Sequence, residues 1–247
     1  MNMSTTAVLH SEWIKVRSVR SVSGSLIAVF AATLLVTLLV FPTLGQAEAG
    51  KPDNDSLFFA FYALNFGQIA AISFGATAMS SEFLNGALRI FLSAVPNRDL
   101  FYAAKMSVIG CLAVGTGLIT SLGTFVVGQA FMGEYAVGLG ESGALRAVVG
   151  GGIYLALMTL AAAGLTALLR SAVAVLSLLV PFVLIVSFVV GDVAGGAAQY
   201  LPDRAGQLIL HQTTEGSLGP WTGLAVTGAW AGLAQLAGWW AVRTRDA

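Results

Sequence analysis

Six long apolar stretches limit what this chain can fold into. They cover Val22–Phe41, Leu57–Met79, Met106–Phe131, Leu145–Leu168, Ala172–Val190 and Trp221–Trp240. A helix needs about 20 mostly apolar residues to cross the hydrocarbon core of a bilayer, and each stretch is close to that length. We therefore predict an all-α membrane protein with six transmembrane helices, folded as a single domain over residues 1–247.

The composition agrees with a surface that faces lipid. Charged residues make up 10% of the chain and hydrophobic residues 57%, and the mean hydropathy is +0.83. A soluble domain usually carries about 25% charged residues. The net charge is zero, so the chain offers no overall basic field to nucleic acid, and we expect no nucleic-acid partner.

The positions of lysine and arginine predict the orientation of the spans, because cytoplasmic loops carry an excess of these residues. With the N-terminus inside, the inner segments contain Lys15, Arg17, Arg20, Arg89, Arg98, Lys105, Arg170, Arg243 and Arg245. The outer segments contain Lys51, Arg146 and Arg204. Both termini are therefore predicted to be cytoplasmic.

A cleaved signal peptide is an alternative for the first stretch. Ala47–Ala49 resembles a small-residue cleavage site and follows a basic N-terminus and an apolar run. That run is longer than the roughly 7–15 residues of a signal-peptide core. A first transmembrane helix is the preferred interpretation.

The sequence offers no constellation for catalysis. No Asp, Glu, Lys, Arg or His lies near the middle of a predicted span, although such groups usually mark proton relays and ion paths. His10 and His211 have no partners at metal-ligand spacing, and Cys111 is the single cysteine. We expect no catalytic, cofactor-binding or metal site in this chain, and hence no enzyme.

Glycines in the spans predict points where helices approach closely. They form the triplet Gly150–Gly152 and the pair Gly228 and Gly232. Two interpretations stay open, namely packing within the chain's own bundle and packing against a second subunit.

The N-terminal segment has the pattern of an amphipathic helix. Leu9, Trp13 and Val16 recur at the spacing of one helical face, and nearby basic residues favour an anionic leaflet. We predict an interfacial elbow helix over residues 7–20, which lies on the membrane and turns into the first span. The residues assigned to this elbow are Trp13, Lys15, Arg17 and Arg20. An ordinary basic flank is the alternative.

A second amphipathic segment, Ser81–Arg98, separates the second and third stretches. Its predicted apolar stripe consists of Leu84, Leu88, Phe91, Leu92 and Val95, and its polar face contains Glu82, Asn85, Arg89 and Ser93. Gly86 indicates a bend or close contact, Pro96 ends the helix, and Asp99 is expected to cap the next one. Such a helix suits the docking of a cytoplasmic partner, whereas a solvated loop helix is the alternative.

At this segment the sequence resembles the ABC-2-type permeases, particularly the actinobacterial ones. The matching residues are Glu82-Phe83, Gly86, Arg89, Leu92 and Pro96-Asn97-Arg98, followed by Lys105, whereas Ala87 replaces the usual Thr. The resemblance covers nearly the whole chain. Glu12–Lys15 is similar to the family's elbow helix, and Tyr200–Pro202, Ala205-Gly206 and Pro220-Trp221 are similar to its outer loop before the last span.

The resemblance implies a permease subunit in the bacterial cytoplasmic membrane. Two permease chains, identical or different, would pair with two cytoplasmic ATPases and export a hydrophobic or amphiphilic compound. ATP would bind to the partner, because this chain has no phosphate-binding loop. The implied coupling-helix residues are Glu82, Phe83, Gly86, Arg89, Phe91, Pro96 and Arg98. A non-transporting membrane scaffold, immunity or sensory subunit is the alternative function.

Overall fold

A computed structural model describes residues 5–51, 55–94, 97–186, 189, 195–213 and 217–245. Within these ranges the chain is helical and contains no β-strand, so the predicted all-α class is confirmed. The helices are α1 (Thr5–Ser18), α2 (Arg20–Ala49), α3 (Ser56–Ala60), α4 (Leu64–Ser80), α5 (Ala87–Ala94), α6 (Arg98–Ala130), α7 (Ala144–Leu169), α8 (Ala172–Pro181), α9 (Pro202–Gln207) and α10 (Pro220–Thr244). Short 3₁₀ turns cover Leu84–Gly86, Gly133–Tyr135, Gly195–Tyr200 and Leu208–Leu210, and a π-helical turn covers Phe182–Val186.

Three of the described helices, α2, α6 and α7, are long and apolar enough to cross a membrane. They contain 30, 33 and 26 residues, which correspond to about 45, 50 and 39 Å at 1.5 Å per residue. They contain the first, third and fourth predicted spans. A helix is the natural form for such segments, since it satisfies its own backbone hydrogen bonds in lipid.

The other three predicted spans differ in form. The second is divided, because α3 ends at Ala60 and α4 begins only at Leu64. The fifth continues from α8 into the π-helical turn, and its predicted end at Val190 lies outside the described residues. The sixth corresponds to α10, which has 25 residues but does not meet the same test of apolarity. Six spans therefore stay a prediction.

Helix α2 extends beyond the first predicted span. The sequence predicts its end at Phe41, before Pro42, yet α2 continues through Pro42 to Ala49. Proline removes one backbone donor from a helix and strains the preceding turn. In this chain α2 tolerates that loss and ends at Ala49, with Gly50 as its C-cap.

Helix α7 lies at the centre of the bundle and packs against α4, α6 and α10. Its glycines allow these close contacts. A Cβ on Gly150 would lie 2.0 Å from Ile209, one on Gly151 would lie 2.6 Å from the Ser121 hydroxyl, and one on Gly152 would lie 2.8 Å from the backbone nitrogen of Leu118. The predicted close packing at the triplet is confirmed, within the chain's own bundle.

The other predicted packing point is not used inside the chain. A Cβ on Gly228 or Gly232 would meet no atom within 4 Å. Helix α10 instead turns Gly223 and Gly238 inward, where an added Cβ would lie 2.3 Å from the Ala205 carbonyl and 2.5 Å from the Gly164 carbonyl. Packing of Gly228 and Gly232 within the bundle is therefore wrong as a prediction.

Replacement of glycine by alanine should change the stability of the protein differently in these two environments. We expect Gly152→Ala to lower the free energy of unfolding by about 1–3 kcal/mol, because the added methyl group collides with the backbone of α6. Gly232→Ala is the matched control and should leave stability unchanged or slightly higher, because alanine is the better helix former. Thermal unfolding of the detergent-solubilised protein measures both, and an equal effect of the two substitutions contradicts this packing.

Candidate functional site

Four charged side chains from three segments meet inside the chain. Glu12 and Lys15 belong to α1, Glu82 lies in the turn after α4, and Lys105 lies on α6. The Lys15 ammonium nitrogen is 2.6 Å from a Glu12 carboxylate oxygen and 3.1 Å from a Glu82 oxygen. The Lys105 nitrogen is 3.1 Å from Glu12 and 2.6 Å from Glu82. Each carboxylate thus contacts both ammonium groups, and we call these four residues the charge cluster.

Three of the four residues of the charge cluster are shielded from solvent. The exposed fractions of Glu12, Glu82 and Lys105 are 0%, 3% and 2%, while Lys15 is half-buried. A buried charge is costly unless an opposite charge lies beside it. The two negative and two positive charges of this cluster cancel, so burial is tolerated while each charge keeps an opposite charge beside it.

The charges also affect the acidity of Glu82. Burial alone raises the pKa of this carboxyl, but the neighbouring ammonium groups of Lys105 and Lys15 outweigh burial and hold the pKa below its ordinary value of 4.5. A group whose pKa is lowered by folding stabilises the folded protein at higher pH, where it is ionised in both states. Its contribution is lost as the pH falls below 4.5.

Helix α1 is held to α6 by the face that carries Glu12. Val8 and Val16 are buried on the same face, and Val8 packs against Ala104 of α6. Trp13, assigned to the apolar face in the sequence, is 42% exposed. The buried stripe is therefore centred on Glu12 rather than on Trp13, because Lys15 and Lys105 neutralise the carboxylate.

The rest of the predicted elbow is exposed or forms the bend. Arg17 and Arg20 are exposed, and Val19 adopts an extended conformation between α1 and α2. In the described structure Trp13, Arg17 and Arg20 form no hydrogen bond or ion pair with the charge cluster, whereas Lys15 is part of it.

The segment 81–98 is less regular than the predicted continuous helix. A 3₁₀ turn, Leu84–Gly86, precedes the eight-residue helix α5. Gly86 has a φ of +71°, and a Cβ added to it would meet no atom within 4 Å, so a bend rather than a close contact requires glycine there. The backbone N–H of Leu88 donates to the Glu82 carbonyl at 2.8 Å, which closes the turn.

Helix α5 turns one face towards the charge cluster and another away from it. Leu88 is buried, and the Phe91 ring lies 5.0 Å from that of Phe101 and 4.4 Å from the Lys15 nitrogen. Arg89 and Ile90 are exposed. Leu84 is 62% exposed, so its predicted place on the apolar stripe is wrong, because the bend at Gly86 takes it out of register with α5.

The remaining residues assigned to the coupling helix are Phe83, Arg98 and Pro96. Phe83 lies beneath the guanidinium of Arg170 at 5.7 Å. Arg98 donates to the carbonyls of Val242 and Arg245 at 2.8 and 2.5 Å, and so joins the start of α6 to the end of α10. Pro96 lies outside the described residues.

The predicted cap of α6 is also corrected. Asn97, not Asp99, is the N-cap, and its side chain accepts a hydrogen bond from the Leu100 N–H at 3.0 Å. Asp99 lies in the first turn and accepts instead from the Trp239 indole at 2.8 Å. Asn and Asp are both good N-caps, and Asn97 takes the position because α6 already begins at Arg98.

The charge cluster was not predicted from the sequence. Glu12 and Lys15 have the three-residue spacing of a helical ion pair, and Lys105 stands at the edge of an apolar stretch. Both features are visible, but nothing in the sequence joins residues 12, 82 and 105. Among the described residues, no group of three His, Cys, Asp or Glu is arranged to hold a metal ion.

A comparison with protein families identifies the family to which this chain belongs. A model described as an ABC-2 family transporter protein matches residues 8–191, which is well over half of the chain. The chain belongs to the ABC-2 transporter family. It is therefore a membrane-embedded permease of an ABC transporter, and the matched region contains the whole charge cluster and α5. None of the curated proteins compared with the permease matches it.

Removal of one buried charge should strongly destabilise the permease. We expect Lys105→Met to lower the free energy of unfolding by about 3–5 kcal/mol, because two carboxylates then share one lysine in a buried site. Thermal unfolding in detergent measures the loss. Lys51→Met is the matched control, since its partner Glu48 is 2.6 Å away in an exposed pair, which contributes little.

A paired substitution separates charge from packing. Glu82→Gln combined with Lys105→Met leaves Glu12 beside Lys15, so the remaining charges balance. We expect the double variant to be more stable than Lys105→Met alone. If Lys105→Met lowers the melting temperature no more than Lys51→Met does, the charge cluster does not stabilise the fold as predicted.

The stability of the permease should also depend on Glu82 in a defined pH range. The parent should melt at a higher temperature than Glu82→Gln. This difference should have its full size above pH 4.5 and shrink below it, because protonation of Glu82 in the parent removes the charge that glutamine lacks. Melting curves from pH 7 downward measure it. A difference that is constant across this range contradicts the ionised state of Glu82.

Proposed function

We propose that the chain is one of two permease subunits of an ATP-driven exporter in the bacterial cytoplasmic membrane. The family match supports a permease that works with ABC ATPase subunits. In this proposal the chain crosses the membrane six times with both termini in the cytoplasm, and separate subunits bind and hydrolyse ATP. The distribution of lysine and arginine supports this orientation.

The exposed face of α5 is the proposed contact with the ATPase. Arg89 and Ile90 lie at the surface of α5, and Ile90 is 71% exposed. Arginine is one of the residue types enriched at protein interfaces. Glu82 has a different role in this proposal, since its carboxylate is buried and bound to Lys15 and Lys105.

The observation that carries the proposal is the connection of α5 to three parts of the permease. Glu82 precedes α5 by a short turn, and the charge cluster joins that turn to α1 and to α6. Arg98, after α5, binds the end of α10. A displacement of α5 by an ATPase would therefore reach α1, α4, α6 and α10 together.

A hydrophobic or amphiphilic cargo is consistent with the bundle surface. A groove of about 410 Å³ opens between α7, α8 and α10, and its lining includes Leu178, Phe182 and Trp230. The lining is almost entirely apolar, and apolar concave surfaces of this size are typical of small-molecule sites. The open face at Gly228 and Gly232 supports packing against a second permease chain.

Charge reversal on α5 tests the docking assignment. The tagged permease is purified from its native membranes with its associated ATPase, and the recovered ATPase is quantified. We expect Arg89→Glu with Ile90→Asp to reduce recovery at least about tenfold, as loss of an interface anchor does. Lys51→Glu is the control for an exposed charge reversal distant from α5 and should not change recovery.

The same preparation distinguishes transport from the alternative function. Candidate amphiphilic compounds should stimulate ATP hydrolysis by the reconstituted complex if the permease exports one of them. Undiminished recovery of ATPase with the α5 double variant would refute the docking face. An intact complex whose hydrolysis responds to no compound across a broad panel favours a scaffold, immunity or sensory subunit.

A further inference from the structure

A second set of polar contacts lies at the opposite end of α4 from the charge cluster. The Gln207 side-chain N–H donates to the Asn65 side-chain oxygen at 2.9 Å, and the Tyr154 hydroxyl donates to the Gln68 side-chain oxygen. The Tyr154 ring also lies against α9, since a Cβ added to Gly206 would be 2.3 Å from it. These four residues, which we call the amide latch, connect α9 and α7 to α4. Asn65 lies about 22 Å along α4 from Ser80, at 1.5 Å per residue.

Helix α9 also packs against α7, through Gly206 and the Tyr154 ring, and against α10. The Thr227 hydroxyl donates to the Pro202 carbonyl at 2.7 Å, and the Trp230 indole donates to the Tyr200 carbonyl at 3.0 Å. An added Cβ on Gly223 would lie 2.3 Å from the Ala205 carbonyl, so α9 and α10 are in close backbone contact. The attachment to α4, by contrast, consists of side-chain hydrogen bonds. Of the three helices that α9 touches, α4 is the one with which it has the least packing.

The chain following α9 covers polar groups in the interior. Ser121 of α6 meets Leu64 and Leu210 at Gly151, since a Cβ there would lie within 3.1 Å of all three side chains. The hydroxyls of Thr120, Ser121 and Thr124 are fully buried and have no hydrogen-bond partner in the described structure. Buried hydroxyls without partners are costly. Water or a polar group of a passing molecule would satisfy them if α9 moved away.

We propose that Gln207 and Tyr154 are positioning residues that hold α9 and the turn after it over this hydroxyl-bearing interior. Breaking their bonds to α4 opens the interior to water at that end of the bundle. Because α4 also leads into Glu82, a displacement at the charge cluster moves the helix on which Asn65 and Gln68 lie. The role in a transport cycle rests on the proposed function, whereas the closure itself does not.

A buried reporter cysteine tests the closure directly. Cys111, the single native cysteine, is replaced by serine, and Ser121→Cys provides the reporter in the full chain reconstituted in lipid nanodiscs. A water-soluble maleimide is the probe, and its rate of reaction is measured. We expect slow labelling with the latch intact. Gln207→Leu and Tyr154→Phe should each accelerate labelling about tenfold, as expected when the closed state loses a hydrogen bond.

Two variants control for the chemistry of the change. Gln199→Leu removes an exposed amide that donates to the Ser217 hydroxyl at 2.8 Å, and should leave the labelling rate unchanged. Asn65→Leu removes the acceptor of Gln207 and should accelerate labelling, whereas Asn65→Asp retains an accepting oxygen and should stay slow. Equal rates in parent and Gln207→Leu would overturn the proposal, as would equal acceleration by Gln199→Leu.

A second reporter separates local opening from unfolding. Ala163→Cys places a fully buried thiol on α7, about 14 Å along the helix from Tyr154. Its labelling should not respond to Gln207→Leu. If both reporters accelerate equally, the amide latch contributes only to general stability and the proposal is wrong.

The link to ATP is tested separately. In the complex with its co-purified ATPase, added ATP should accelerate labelling of Ser121→Cys in the parent. Acceleration by Gln207→Leu without any response to ATP would uphold the closure and overturn its connection to the proposed transport function.

Discussion

The ion pairs of the charge cluster are the constraint on which the architecture of one end of the permease depends. Glu12, Glu82 and Lys105 come from distant parts of the chain, and each can remain charged and buried only beside an oppositely charged partner. The cluster therefore fixes where α1 lies and where the turn after α4 must pass. Helix α5 takes its position from this turn, with Phe91 against the Lys15 ammonium group.

Helix α4 connects this end to the rest of the bundle. An added Cβ on Gly75 would lie 2.1 Å from the Thr159 carbonyl, and the Thr159 hydroxyl donates to the Ala71 carbonyl at 3.2 Å. The backbones of α4 and α7 are thus in close contact along the middle of α4. Tight packing of this kind makes α4 move as a unit rather than bend. A displacement of α4 at its Glu82 end is therefore transmitted to its Asn65 end.

Local patterns in the sequence predicted the local structure well and the long-range contacts poorly. The apolar stretches predicted α2, α6 and α7, and Gly86 predicted the bend before α5. The division of the second span at Ala60–Leu64 was missed, because hydropathy does not register a turn among apolar residues. The charge cluster and the amide latch were missed for another reason. Their members are far apart in sequence, and only packing brings them together.

The two ends of α4 are held by interactions of very different strength. Separating a buried ion pair leaves uncompensated charge and costs about 3–5 kcal/mol, whereas breaking a neutral hydrogen bond costs about 0.5–1.5 kcal/mol. Under a force along α4, the bonds at Asn65 and Gln68 therefore separate before those at Glu82. In the proposed closure, a displacement applied at the charge cluster would therefore leave the ion pairs intact and break the hydrogen bonds of the amide latch.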